Sequence, residues 1–248
     1  MSYIKPLSNL QEFYTRYFAK LLPQVKTVPK LDEMAEYLLK VSDLVWGIYA
    51  LSRDPLQGRF NPTQSEDWIR QALSCGKKYA KCYISMCGTD NPKQIAQYLD
   101  ITINKPLIPE EGGRVLFARF IEPDTIEIFG DVLEKVSQLG SLSEFPDCSS
   151  EWEKILTAHE LFHVVELRNE TEIFTRKHHL TIFSIGPFKN QARVNALSEI
   201  AAMSFARELC HLTYLPFALD VLLTYGYNYE AAGMLFDEIR DINETYRT

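Results

Sequence analysis

The stretch ILTAHELFHVVEL, residues 155–167, constrains the fold of this chain more than any other part of its sequence. As a helix it would be apolar on nearly every side and therefore buried, yet it contains His159, Glu160 and His163. Buried polar side chains need partners. The two histidines lie one helical turn apart, about 6 Å along the axis, so both imidazoles can reach one ion at about 2.0–2.1 Å. We therefore predict a metal-binding helix, with hydrogen-bonded core histidines as the alternative.

The sequence also predicts where this helix starts and what its glutamate does. Ser150 followed three residues later by Glu153 matches a capping box, which predicts a helix from about residue 151 to residue 167. Glu160 projects to a neighbouring part of the helix surface, where its carboxylate can act on a water molecule without ligating the metal. That spacing is typical of zinc hydrolases.

A third protein ligand is expected from a second helix downstream. Residues 190–210 have helical spacing, and Glu199 lies among small residues on the helical wheel. These small residues are Ala192, Ala196, Ala202 and Ala206. Small side chains let two helix backbones approach closely, which would bring a glutamate to the ion. We therefore predict Glu199 as the third ligand.

Composition limits the other classes of function. The chain has 248 residues, a hydrophobic fraction of 46%, a net charge of -7 and a pI near 5.3, which argues against direct binding to nucleic acid. We find no apolar run of about 18 residues and no signal-peptide pattern at the amino terminus, so we expect a cytoplasmic protein that does not bind membranes. The five cysteines include no Cys-x-x-Cys pair, which indicates neither a disulfide framework nor a thiolate zinc site.

The apolar periodicity predicts an α+β fold that is mostly helical, with a small sheet. Residues up to about 78 have helical spacing interrupted by prolines, and residues 93–106 predict a short helix followed by an extended segment. Residues 114–129 predict two strands around a turn at 122–125, and the pattern returns to helix after Gly140. We expect a helical amino-terminal extension over residues 1–70, followed by the domain that contains the motif helix.

Two motifs together carry a resemblance to a known family. The combination of HELFH at 159–163 with EIAAMSFAREL at 199–209 resembles the ImmA/IrrE family of metallopeptidases, within the gluzincin group. The segment QIAQYLDITI, residues 94–103, resembles the short helix and first strand that open the domain of that family. The resemblance covers roughly residues 70–215.

The resemblance implies a zincin-like domain over residues 71–248, with a twisted sheet packed against the motif helix and a sheet edge beside the cleft. It implies Zn²⁺ held by His159, His163 and Glu199, with Glu160 as the general base of peptide hydrolysis. It also implies a narrow protein or peptide substrate, often a DNA-binding regulator. The extension before residue 71 would shape the cleft, dock the target or serve as a stabilising cap.

Further expectations concern the cleft. His178 and His179 are candidates for stabilising the oxyanion, and Arg193 for orienting a carboxylate. An extended peptide can add to a sheet edge as an extra strand, and we expect that edge at residues 125–129.

Two other hypotheses come from different classes of protein. Glu160-x-x-His163 and Glu208-x-x-His211 both have the Glu-x-x-His spacing of di-iron carboxylate helical bundles. The strand pair and the absence of a role for His159 weigh against this alternative. The other hypothesis is a non-catalytic regulatory protein that binds a structural metal.

Overall fold

A computed structural model describes residues 28–107, 116–138, 149–185 and 188–246. The helices are α1 (Leu31–Leu39), α2 (Asp43–Leu51), α3 (Pro62–Cys87), α4 (Pro92–Tyr98), α5 (Gly130–Gln138), α6 (Ser149–Arg168), α7 (Phe174–Lys177), α8 (Asn195–Leu209), α9 (Phe217–Tyr227) and α10 (Tyr229–Tyr246). The strands are β1 (Thr102–Asn104), β2 (Ala118–Ile121), β3 (Thr125–Ile128), β4 (His179–Ile185) and β5 (Phe188–Arg193). The prediction of a mostly helical α+β fold is confirmed, while the predicted helix before residue 28 lies outside the described residues.

The first sheet has the strand order β1-β3-β2, with β1 parallel and β2 antiparallel to β3. The two predicted strands around a turn are therefore confirmed. The prediction that residues 125–129 form the exposed edge is wrong, because β1 pairs with β3 from its other side and leaves Ile126 and Ile128 fully buried. The pairing of β1 with β3 could not be predicted from the local sequence of β2 and β3, because β1 lies upstream in the chain.

Strand β2 is the edge that faces the motif helix α6. The N–H of Phe129 donates to the carbonyl of Phe117. In this register, Arg119 and Ile121 are the residues of β2 whose main-chain groups hydrogen-bond to β3. Because hydrogen bonding alternates along a strand, Ala118 and Phe120 point their main-chain N–H and C=O groups away from β3. The outer edge of β2 therefore offers main-chain groups towards α6.

Helix α6 passes through the centre of the core and packs against α8, which in turn packs against α3. The helix begins two residues before the predicted start and ends one residue after the predicted end. The carboxylate of Glu153 lies 2.6 Å from the ammonium of Lys93 and 2.8 Å from that of Lys105. These ion pairs fix the first turns of α6 against α4 and the end of β1.

The segment before the second motif differs from our expectation of continuous helix. Residues 179–185 and 188–193 form the antiparallel strands of the hairpin β4–β5, so Ala192 and Arg193 lie on a strand and the helix starts only at Asn195. The sequence contained a signal for this, since β-branched and aromatic residues over 179–185 precede a Gly-Pro pair. Arg193 is exposed at the base of the hairpin and does not lie on the helix that carries Glu199.

Residue 70, where we predict the end of an amino-terminal extension, lies inside α3. Helix α2 packs against both α3 and α8, and the buried side chains before residue 70 belong to the same apolar cluster as those of α6 and α8. Across the described ranges, we find no helix with the length and apolar character that crossing a membrane requires.

Candidate metal centre

The side chains of His159, His163 and Glu199 meet between α6 and α8, with one donor atom from each within 4.8 Å of the others. The Nε2 atoms of the two histidines are 3.4 Å apart. Glu199 places Oε2 3.4 Å from Nε2 of His159, and Oε1 3.8 Å from Nε2 of His163. The structure thus brings together the three residues predicted as ligands.

These spacings fit a tetrahedral ion. Ligand atoms about 2.0–2.1 Å from a tetrahedral zinc lie roughly 3.3–3.4 Å from one another. The separations from Nε2 of His159 to Nε2 of His163 and to Oε2 of Glu199 are both 3.4 Å, and the other carboxylate oxygen of Glu199 lies 3.8 Å from Nε2 of His163. Nitrogen and carboxylate oxygen are also the donor types that zinc accepts in catalytic sites.

Several polar atoms of the site are buried without a hydrogen-bond partner. His163 is 4% exposed, Glu160 6% and Glu199 8%. Among the described residues, Nδ1 of His159, Oε2 of Glu160 and Oε1 of Glu199 have no hydrogen-bond partner. Because buried polar atoms without partners are destabilising, a cation bound by Glu199 would offset part of this cost.

The charges of the site act on each other. Burial lowers the pKa of His159, but the carboxylate of Glu199 outweighs it and raises that pKa to about 9. Burial also raises the pKa of Glu199, but the two histidines hold the pKa of this carboxyl below its usual value. Without a metal, the histidine and the glutamate therefore form an ion pair.

Glu160 lies beside the ligand set and contacts the sheet edge. Burial raises the pKa of its carboxyl, although His159 and His163 act in the opposite direction. The N–H of Phe120 donates to this carboxylate, which agrees with the outward direction of that N–H on β2. A carboxylate with a raised pKa is a stronger base than one in water, and this one lies between the metal ligands and a strand edge.

Three residues near the site were not predicted. Oγ of Ser198 lies 3.4 Å from Nδ1 of His163 and orients that ring from behind. Asp54 accepts the N–H of Ala196 at 3.0 Å and thereby caps the helix that carries Glu199. Neither contact leaves a local pattern, because each joins residues that are distant in sequence.

The third missed residue is Asp220 on α9, whose charge interacts with those of His159, Glu199 and Arg53. Burial raises the pKa of its carboxyl to about 7. Its signal in the sequence was a single acid inside the apolar run FALDVLL, residues 217–223. With Asp220, the site collects acidic side chains in a way that favours a bound cation.

The structure does not bring the other predicted residues to the metal cluster. His178 packs between Trp68 and Phe174, with ring centroids 4.7 Å and 5.2 Å away, and His179 is exposed with Nδ1 2.9 Å from the carbonyl of Lys177. Their assignment as oxyanion donors remains a prediction.

Glu208 and His211, which the di-iron alternative requires, contact other residues on the surface. Glu208 lies 3.7 Å from the ammonium of Lys77 and 3.5 Å from that of Lys81. Nε2 of His211 lies 2.7 Å from a carboxylate oxygen of Asp90. The second Glu-x-x-His pair thus does not face the first.

Comparisons with protein-family models, with curated proteins and with solved structures gave no match to this chain.

Proposed function

We propose that this protein is a zinc-dependent metallopeptidase of the zincin type, similar to the ImmA/IrrE family. The observation that carries the proposal is the position of Glu160, which lies between three donor side chains with ligand atoms within 4.8 Å of one another and the outward edge of β2. A structural zinc site would be closed by four protein ligands. Here three donors converge, and a buried carboxylate lies beside them.

His159, His163 and Glu199 would hold the ion. Bound zinc supplies a Lewis acid that polarises a carbonyl oxygen and makes water more acidic. Glu160 takes one proton from the attacking water as the new C–O bond forms, and it delivers that proton to the leaving amine nitrogen as the C–N bond breaks. Ser198 keeps the ring of His163 in place throughout.

The substrate would lie along β2. An extended peptide can pair with the outward main-chain groups of Ala118 and with the carbonyl of Phe120, while the Phe120 N–H remains with Glu160. Such pairing holds the peptide backbone beside the site and leaves selectivity to alternate side chains. The chemistry suits a narrow target, and a DNA-binding regulator is the substrate class that the family resemblance suggests.

Metal content tests the ligand set. We expect one zinc per chain in the purified protein, measured by elemental analysis, and loss of that zinc in His163→Ala and in Glu199→Ala. Glu160→Gln should retain zinc and the folded state but lose hydrolysis of a peptide library analysed by mass spectrometry, because Glu160 is not a ligand. Full zinc in both ligand variants, or zinc loss in Glu160→Gln, would contradict these roles.

Glu208→Ala is the matched control, since it removes a glutamate from the same helix at a position that contacts surface lysines. It should keep both zinc and activity. Two irons per chain that disappear in Glu208→Ala and His211→Ala would instead support the di-iron alternative. Zinc retained by a wild-type protein without hydrolytic activity would support a non-catalytic metal-binding protein.

A further inference from the structure

The hairpin β4–β5 lies in a stretch whose charge is opposite to that of the chain as a whole. No acidic residue occurs between Glu172 and Glu199, whereas this interval contains Lys177, Lys189 and Arg193, besides Arg176, which pairs with Glu166 at 3.0 Å. The full chain has a net charge of -7. This local excess of positive charge indicates a surface that attracts acidic partners.

The register of the hairpin separates its side chains into two faces. Cross-strand neighbours share a face, and the pairs His179–Arg193 and Ser184–Lys189 lie together on one of them. This face, which we call the basic face, is exposed at all four of these residues. Lys189 and Arg193 form no salt bridge with any residue of the described ranges.

The other face carries Asn190 and several apolar side chains, and its outer part is exposed. At the base of the hairpin, Leu180 and Ala192 are half-buried, and Leu180 packs against the core. Further out on the same face, Phe183 is 52% exposed and Phe188 is 77% exposed. Two aromatic side chains held open to solvent on a strand pair form a contact surface without a partner in the described structure.

The hairpin is continuous with the candidate cleft. Arg193 lies two residues before α8, whose first turns carry Ser198 and Glu199. Arg193 is also close enough to Glu122, which follows β2 directly, for their charges to interact. A peptide that runs along β2 past Ile121 therefore arrives at the base of the hairpin.

We propose that hairpin β4–β5 binds an extended segment of the protein substrate in which acidic and apolar residues alternate. The inference that this segment belongs to a substrate rests on the proposed function. Strands β4 and β5 pair only with each other in the described structure, and Arg59 holds β4 by donating to the carbonyl of Ile182 at 2.9 Å. The outer edge of β5 can therefore accept another strand.

The alternation of acidic and apolar residues in the bound segment follows from the two faces of the hairpin. A strand added to β5 points successive side chains to opposite sides of the sheet. Its acidic residues would meet Lys189 and Arg193 on the basic face, and its apolar residues would meet Phe188 and Ala192 of β5 on the other. The segment binds outside the cleft, so it selects the substrate without touching the bond that is cleaved.

Binding is tested without catalysis, using the full-length Glu160→Gln protein and fluorescence anisotropy. The probe is a fluorescein-labelled 12-residue peptide of alternating Glu and Val. We expect saturable binding that weakens as NaCl is raised from 0.05 to 0.5 M, and binding at least about tenfold weaker for Lys189→Glu combined with Arg193→Gln. Lys189→Glu alone, which leaves the base of the hairpin intact, should weaken binding about threefold.

The matched control makes the same charge changes at the two ends of α1, as Lys30→Glu combined with Lys40→Gln, and should bind as tightly as the parent. Phe188→Ser should weaken binding of the Glu-Val peptide more than binding of a Glu-Ser peptide of equal length. Binding that the hairpin variants leave unchanged, or equally tight binding of a Lys-Val peptide, would overturn the proposal. Tighter, hairpin-dependent binding of a 16-base-pair DNA duplex would overturn it in favour of a nucleic-acid surface.

Zinc content and peptide hydrolysis by the wild-type protein separate this inference from the proposed function. Zinc and hydrolysis without hairpin-dependent binding would overturn the hairpin proposal alone. Hairpin-dependent binding to a protein that neither holds zinc nor hydrolyses peptides would overturn the proposed function alone.

Discussion

At the scale of single residues, the site contains an ion pair between His159 and Glu199 that a bound metal would displace. Glu199 raises the pKa of His159 from 6.5 to about 9 and thereby keeps the imidazole protonated near neutral pH. A group whose pKa is higher in the folded state adds stability below its unfolded pKa and loses that contribution as the pH rises through its folded pKa. The metal-free protein therefore loses this contribution between about pH 6.5 and pH 9.

Proton release on zinc binding tests this arrangement. Zinc requires the neutral imidazole, so binding at pH 7.5 should release about one proton from His159, and the release should decline as the pH passes 9. Titration calorimetry in buffers with different ionisation enthalpies measures the number of protons. A release near zero at pH 7.5 would show that His159 is already neutral in the metal-free protein.

At the scale of elements, the decisive arrangement is that β2 and not β3 borders the site. Ala118 points its N–H away from β3, whereas the neighbouring Arg119 points its N–H towards Glu127. Proline removes a main-chain donor and is tolerated on an edge strand where that donor faces outward. The two adjacent positions therefore give opposite expectations for the same substitution.

Ala118→Pro should keep the zinc content and the unfolding temperature close to those of the parent while raising KM for an extended peptide substrate. Arg119→Pro, the matched comparison, should lower the unfolding temperature because it breaks a ladder bond inside the sheet. Zinc analysis, thermal unfolding and peptide cleavage are measured on the same preparations. Unchanged cleavage by folded Ala118→Pro would mean that substrates do not pair with this edge.

At the scale of the whole molecule, the helices before residue 90 support the site from behind. Helix α3 packs so closely on α8 that a Cβ atom added at Gly76 would lie 2.0 Å from the carbonyl oxygen of Ala201. Ala201 follows Glu199, the candidate third ligand, by two residues. The position of Glu199 is thus coupled to a contact between distant parts of the chain.

Gly76→Ala should therefore destabilise the protein, although alanine normally favours a helix by about 1 kcal/mol over glycine. Overpacking against a backbone atom costs roughly 1–3 kcal/mol or more, which should lower the unfolding temperature by several degrees and weaken zinc binding. Gly58→Ala is the control, because no atom lies within 4 Å of a Cβ added there. Equal stability of the two variants would show that α3 and α8 can separate at no cost.

The sequence by itself determined the features that repeat along one helix or one strand. The turn of a helix places His159 and His163 on one side, and the apolar surroundings of Glu199 predicted that it is buried. The short helix and strand before residue 106, and the two strands around the turn at 122–125, followed from local patterns in the same way.

Tertiary structure decided which of these elements meet. It made β2 the edge strand, placed Asp54 on the amino end of α8, and brought Asp220 towards His159. Each of these contacts joins residues far apart in the chain, where no periodicity carries information. The physical reason is that local sequence sets the direction of a side chain relative to its own helix or strand, whereas packing of the whole core sets which surface lies opposite.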